Sequence, residues 1–524
     1  PERRIDRSRI SMELLQMTGS DRSAAAQARA YKLLSHGMER NYSDDTTTWA
    51  AKAYSLRNAA RAFAELGMEE MRLWSEYYSA HLILHELNDH LPALERARQI
   101  QRASVRAGFE RVELLALILE GDALMQAGES ADGKQSFARF ESVHPVWQSV
   151  AELADRQGLQ AERGRALFND GLAYERQDRP DQALERYRQA LDVTAGAGDQ
   201  ELLNRIRATA AAAYENQGST AGAIGMLDDI ASDLTSEDEP DAGLDLAANL
   251  SEKGRLLNST YRFDAAALEL SRAMQLQTEA RASFARGRTG LELAWSRFSQ
   301  GYLDQAADLV EQSLPRASGA SAVERARAQG MLAAIQRLQG RFDAMSESRS
   351  RQAEYVGAGP GRAAVLLETA LDALARDGYR NAQVSGLLKQ AERVGRESGD
   401  PLTVDRAVLQ QCLVNLERQG SGACAMGAAG AAYEELSSGG VPALAADATF
   451  TWARILDRQG DVTLARREMN RLVEDLQFYR HGLNGVLGGW YWLKRAQVTA
   501  EFARMMRMAG GADLLLALER IRRL

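Results

Sequence analysis

Few residues in this chain have types and spacing that could do chemistry. His81 and His85, in His81-Leu82-Ile83-Leu84-His85-Glu86, share one helix face, and His90 follows shortly after. Two imidazoles one turn apart are the beginning of a zinc site. The glutamate that follows the first histidine in the zinc-protease pattern is replaced by Leu82, and no third ligand stands nearby. These are therefore read as histidines at a seam between helices, with no metal expected. Cys412 and Cys424 flank a predicted hairpin turn, close enough in principle to meet. Two cysteines in so long a chain make no disulfide framework, so the expectation is buried free thiols. Neither cysteine has a histidine beside it in sequence to act as a base. The densest glycine run, Gly357-Ala358-Gly359-Pro360-Gly361-Arg362, lacks the Lys-Ser/Thr that would meet phosphate and magnesium, and reads as a loop between repeats. No catalytic constellation emerges. The expectation is a protein that is not an enzyme and carries no cofactor.

The elements that would position these residues are helices. Of 524 residues 45% are hydrophobic, only 6% are aromatic and nine are proline, a composition suited to Ala-rich helix packing. Lys and Arg number 64 against 72 Asp and Glu, a net charge of −8, with the two signs interspersed. No polybasic footprint for nucleic acid or anionic lipid stands out. The longest aliphatic run, Leu114 to Leu119, is far too short to span a bilayer, and the expected location is the cytoplasm.

One phrase recurs about every forty residues: a small residue, an apolar or aromatic residue three on, then an alanine across a turn. The clearest copy holds Gly171, Tyr174, Ala183, Tyr187 and Ala190, with Arg179-Pro180 between the two apolar runs. Turns are expected near Asn88, Gly128, Asp178, Gly218, Tyr261, Gly301, Gly340, Asp377, Gly420 and Gly460. The small residue that lets the second helix approach the first falls at Ala93, Ala183, Ala223, Ala266, Ala306, Ala425 and Ala465, with Gly133 and Met345 in looser copies. The wider step from Gly133 to Ala183 predicts an inserted turn around His144-Pro145. A single hairpin cannot bury its own apolar faces, so repetition implies stacked neighbours sharing one core. The reading is one all-α, right-handed α-solenoid of antiparallel helix pairs. Residues 1–45 would form an irregular N-terminal cap, 46–476 the solenoid, and 477–524 a C-terminal helical cap or a linker to a further domain.

On Gly171, Tyr174, Ala183, Tyr187 and Ala190, on Gly254, Ala266 and Ala273, and on Gly301-Tyr302-Leu303-Asp304-Gln305-Ala306, the chain resembles the tetratricopeptide repeat family in a long-repeat form. The resemblance implies a superhelix whose groove is lined by the first helix of each pair and holds a peptide or protein. The family's groove positions then fall on Arg165, Arg205, Ala248, Arg288 and Arg327, with Arg255, Trp295, Phe298 and Arg337 on the same predicted face. A row of guanidinium groups with an aromatic anchor would suit an acidic partner. The bland alternative is that Glu175, Glu215 and their like simply pair with arginines of the next repeat. The C-terminal texture, Phe478-Tyr479, Gly488-Gly489-Trp490-Tyr491-Trp492 and Ala512 to Arg520, resembles the segment joining such repeats to a caspase-like CHAT peptidase domain in bacterial proteins. That likeness implies a sensor region regulating a peptidase. The alternative is a scaffold or adaptor subunit that uses its convex face or caps.

Overall fold

A computed structural model describes residues 22–39, 46–130, 133–235, 242–317, 320–359, 361–420, 422–482 and 488–507. Among them are twenty-three α-helices, one short 3₁₀ turn at Gly378–Arg380 and no strand. The chain is an all-α solenoid of antiparallel helix pairs. It divides into two compact units, residues up to Asp229 and residues from Ile230, where the sequence suggests one continuous array.

The first unit holds α1 (Arg22–Gly37), α2 (Thr46–Glu65), α3 (Glu69–His85), α4 (His90–Ala107), α5 (Glu110–Glu129), α6 (Gly133–Arg156), α7 (Gln160–Arg176), α8 (Pro180–Ala195) and α9 (Gln200–Asn216); α10 (Thr220–Leu234) crosses the boundary. In α7 and α8 the logic of the hairpin is plain. Asp178 takes a left-handed φ of 57° and turns the chain, and Pro180 opens α8 where a missing N–H costs nothing. Ala183 and Ala190 are fully buried, and the ring of Tyr187 lies where a side chain on Gly171 would sit, with a Cβ placed there 2.5 Å from it. Gly121 and Trp147 repeat that fit one hairpin earlier.

The second unit holds α11 (Ala242–Ser259), α12 (Phe263–Glu279), α13 (Ser283–Gln300), α14 (Leu303–Ser313), α15 (Ala322–Leu338), α16 (Phe342–Val356), α17 (Arg362–Asp377), α18 (Gln383–Ser398), α19 (Pro401–Gln419), α20 (Met426–Ser438), α21 (Pro442–Gln459), α22 (Val462–Gly482) and α23 (Gly488–Arg507). Odd-numbered helices from α3 to α21 are the first members of the hairpins. The run Gly357 to Arg362 connects α16 to α17, as a loop between repeats should.

Several expectations are corrected. Gly128 itself lies in the last turn of α5, against the ring of Phe140; α5 ends at Glu129 and α6 begins at Gly133, so the break between them falls near it as expected. No turn is inserted at His144-Pro145, because α6 runs unbroken through Pro145 and its 24 residues account for the wider repeat. Ala425 is exposed at the start of α20, and Ala429, fully buried, takes the packing position instead. Cys412 and Cys424 are not free thiols. The hairpin between α19 and α20 brings their Cα atoms to 4.9 Å, and they form a disulfide. Gly133 lies at the first residue of α6. The side chains of Phe478, Tyr479, Trp490, Tyr491 and Trp492, and the whole of Ala512 to Arg520, lie outside the described residues.

Candidate functional site

In the first unit α5 is apolar nearly all round because it is packed between neighbours, and the accessible residues that remain include one stripe: Arg111, Leu115, Ile118, Asp122 and Met125. Their spacing of three or four places them on a single helix face. The matching stripe on α3 carries Trp74, Tyr78, His81 and His85, that on α7 Arg165 and Leu172, and that on α9 Arg205. Trp74 stacks on Tyr78 with ring centroids 5.8 Å apart, and the rings of His81 and His85 meet at 4.3 Å. Arg205 stands over the ring of Phe168 at 5.8 Å, tying α9 to α7. Arg111 reaches Glu162 on α7 at 3.3 Å.

Charge on this face is sparse and unevenly solvated. Burial pushes the Asp122 carboxyl up to about 7, against the opposing pull of Arg165. Burial also lowers His81 to about 4, helped by the adjacent His85, so this ring is neutral at neutral pH. No group of three or more His, Cys, Asp or Glu that could hold a metal occurs among the described residues. Arg165 and Arg205 are exposed, and among the described residues neither has a carboxylate within ion-pair distance. Glu175 accepts a hydrogen bond from the Tyr187 hydroxyl at 2.6 Å rather than pairing with an arginine.

Beside this face is a second polar cluster, between α6 and α7. Both ring nitrogens of His144 face oxygen acceptors, Asp170 at 2.5 Å and Gln177 at 3.1 Å, and the ring stacks on Tyr174 at 3.9 Å. Burial opposes the charged ring, but the Asp170 and Gln177 hydrogen bonds outweigh it and raise its affinity for a proton. Arg186 binds the other oxygen of Asp170 at 2.7 Å. The cluster joins two hairpins.

The remaining sequence-predicted residues lie in the second unit and are differently placed. Arg255 pairs with Glu252 of its own helix. Arg288 lies 3.6 Å from Glu324. Arg327 lies 3.5 Å from Glu292 and covers the Trp295 ring at 4.2 Å. Arg337 meets Asp372 at 3.0 Å and Glu368 at 3.5 Å. Phe298 is no surface anchor: it is 6% exposed in the core shared by α13, α14 and α15, where Trp295 packs beside it half-buried. The hydrophobic stripe that carries Phe298 inward was legible in the sequence, but which side of α13 the neighbours cover was not.

The first-helix face of the second unit also carries a tenant. Helix α23 packs against α13, α15 and α21, all first helices, and against α22. A helix of 20 residues spans about 30 Å, so reaching first helices that far apart in the stack means the face curls round it. The sequence reads this segment as a helical cap or a linker to a further domain. Its amphipathic stripe, Val498, Phe502 and Met505, was the available signal.

No family model matches the chain, and no curated protein matches it. Among solved structures it is similar to the apo form of RapI, at 10% identity over 70% of this chain and 99% of that one, with a TM-score of 0.48. It is also similar to the apo form of the quorum sensor NprR from B. thuringiensis, at 14% identity over 75% of this chain and 99% of that one, with a TM-score of 0.37. No helix among the described residues is long and apolar enough to cross a membrane.

Proposed function

We propose that the chain is a non-catalytic recognition protein whose ligand, an acidic peptide or an acidic segment of a protein, lies on the first-helix face of the first unit. The observation that carries this is the contrast in the arginines: Arg165 and Arg205 are exposed without carboxylate partners among the described residues, whereas Arg288, Arg327 and Arg337 are each answered by one. Guanidinium groups on packed helices lose little freedom on binding a carboxylate and can do so through two hydrogen bonds. Trp74, Tyr78 and Ile118 supply apolar area for one bulky side chain of the ligand. The hairpin pattern supports placing these repeats with the long-repeat tetratricopeptide type.

A screen of peptides rich in Asp and Glu, each with one aromatic residue, followed by titration calorimetry on the best binder, tests the reading. Arg165→Glu with Arg205→Glu should weaken binding at least tenfold with helix content unchanged. Unaltered affinity, or no binder in the screen, would sink the assignment. The finer reading, that binding here is passed to a CHAT-type peptidase domain, rests on the sequence likeness alone. A reading frame beyond Leu524 that lacks a His- and Cys-bearing domain would remove it.

A further inference from the structure

The tenancy of α23 is a separate matter from the ligand of the first unit. Two ionic clusters line the face it lies on. In one, Arg337, Arg349 and Arg406 meet Glu368, Asp372 and Asp447. In the other, Arg454 and Arg458 meet Glu417 and Asp457. Each cluster balances cations against carboxylates using residues of α15 to α21 alone. Helix α23 adds to both without being needed by either. Lys494 lies 3.6 Å from Asp447, Glu501 lies 3.2 Å from Arg454, and Arg504 lies 2.5 Å from Asp457.

This matters because removing one member of a buried ion pair normally strands the other at a cost of several kcal/mol. Withdrawal of α23 leaves most of these charges paired: Arg454, Arg458, Glu417 and Asp457 keep one another, Glu501 keeps Arg504 at 2.5 Å on its own helix, and Asp447 keeps Arg406 at 3.9 Å. Lys494 is a surplus cation by count, a fourth beside three arginines and three carboxylates, although it lies nearer Asp447 than Arg406 does, at 3.6 against 3.9 Å. What holds α23 is its apolar stripe: Val498, Phe502 and Met505, at most 1% exposed, pack on Phe450, Met469 and Leu472. One hydrogen bond from Arg466 to the carbonyl of Met505, at 3.2 Å, adds to it.

We propose that α23 is a displaceable occupant of this groove, closing it in cis until a partner helix of the same pattern takes its place. That pattern is apolar residues at i, i+4 and i+7, with a carboxylate at i+3 for Arg454 and Arg458. The groove of the second unit is thus a helix-receiving site supplied with its own competitor.

Hydrogen exchange on the intact chain tests this directly. Amides of α23 should exchange at least tenfold faster than those of α21, through an opening that leaves the rest of the unit folded. Exchange of α23 only together with α21 and α22 would overturn the proposal. A fluorescent peptide of residues 488–507 is the probe for the vacated groove. It should bind the full-length Phe502→Asp variant at least tenfold more tightly than the unaltered chain. If that variant keeps its helix content and binds no peptide, or if it loses the fold of the second unit, α23 is integral core and the proposal fails. Lys494→Met supplies the opposite arm, because removing the surplus cation should slow α23 exchange; unchanged or faster exchange would count against the account of its seat.

Discussion

The first-helix faces of the two units are built from the same hairpin and carry arginines at equivalent positions, yet one is sparsely charged and the other is saturated with ion pairs. The difference lies in the neighbours. In the first unit the neighbouring first helices offer Arg165 and Arg205 mostly apolar residues and a half-buried carboxyl at Asp122, while Glu162 is taken by Arg111. In the second it offers Glu292, Glu324, Glu368, Asp372 and Asp447, and then α23 is laid across them. An arginine on a repeat face is therefore open to an outside carboxylate only where the adjacent repeat leaves it unanswered.

The largest effect should come from breaking the saturated side. Asp372→Ala leaves Arg349, 5% exposed, without its closest carboxylate, and should cost about 3–5 kcal/mol in denaturant unfolding of the second unit. Asp122→Asn on the other face removes only a carboxyl that burial already disfavours as an anion, and should cost less than about 1 kcal/mol or stabilise. Equal losses would erase the contrast between the faces. Backbone packing sets the next scale. Gly171→Ala drives a methyl into the Tyr187 ring and should cost about 1–3 kcal/mol, readable as a fall in thermal midpoint.

A pH dependence sharpens the comparison. Because the folded Asp122 binds its proton up to about 7, its contribution to stability is complete below its unfolded value and is lost as pH rises through 7. His81 runs the other way: with a folded value of about 4, its contribution is present above the ordinary histidine range and is lost as pH falls toward 4. An acidic ligand on the first face should bind more tightly as pH falls from 8 to 6, since Asp122 then no longer offsets Arg165. Calorimetry at both pH values should show this, and Asp122→Asn should flatten the difference. The smallest effect concerns the turns. Tyr261 holds a left-handed φ of 60° where Gly218 and Gly301 serve equivalent turns, so Tyr261→Gly should stabilise by up to about 1 kcal/mol in the same unfolding assay.

Much of the fold could be read from particular residues. Ala183, Ala266 and Ala306 repeat at the period of a hairpin because a larger side chain there would hold two helices apart, and the structure buries each completely. Pro145 misled: it is a local breaker by type, yet α6 gains enough from burying Val143, Trp147 and Val150 to continue through it. The candidate site was half legible: Arg165 and Arg205 were identifiable from their repeat position, but Asp122 was not, because its interest comes from its burial and from Arg165 on another helix.

What the sequence by itself determined was local and periodic: helices, their pairing, the turn residues, and the small residues at their crossings, all dictated by interactions within about forty residues. The tertiary structure alone decided which arginines are neutralised, that Phe298 turns inward, and that α23 returns to first helices far earlier in the chain. The physical reason is range. Periodic burial is written into each hairpin, whereas charge compensation and groove occupancy depend on which distant side chains the curled stack brings within a few ångströms.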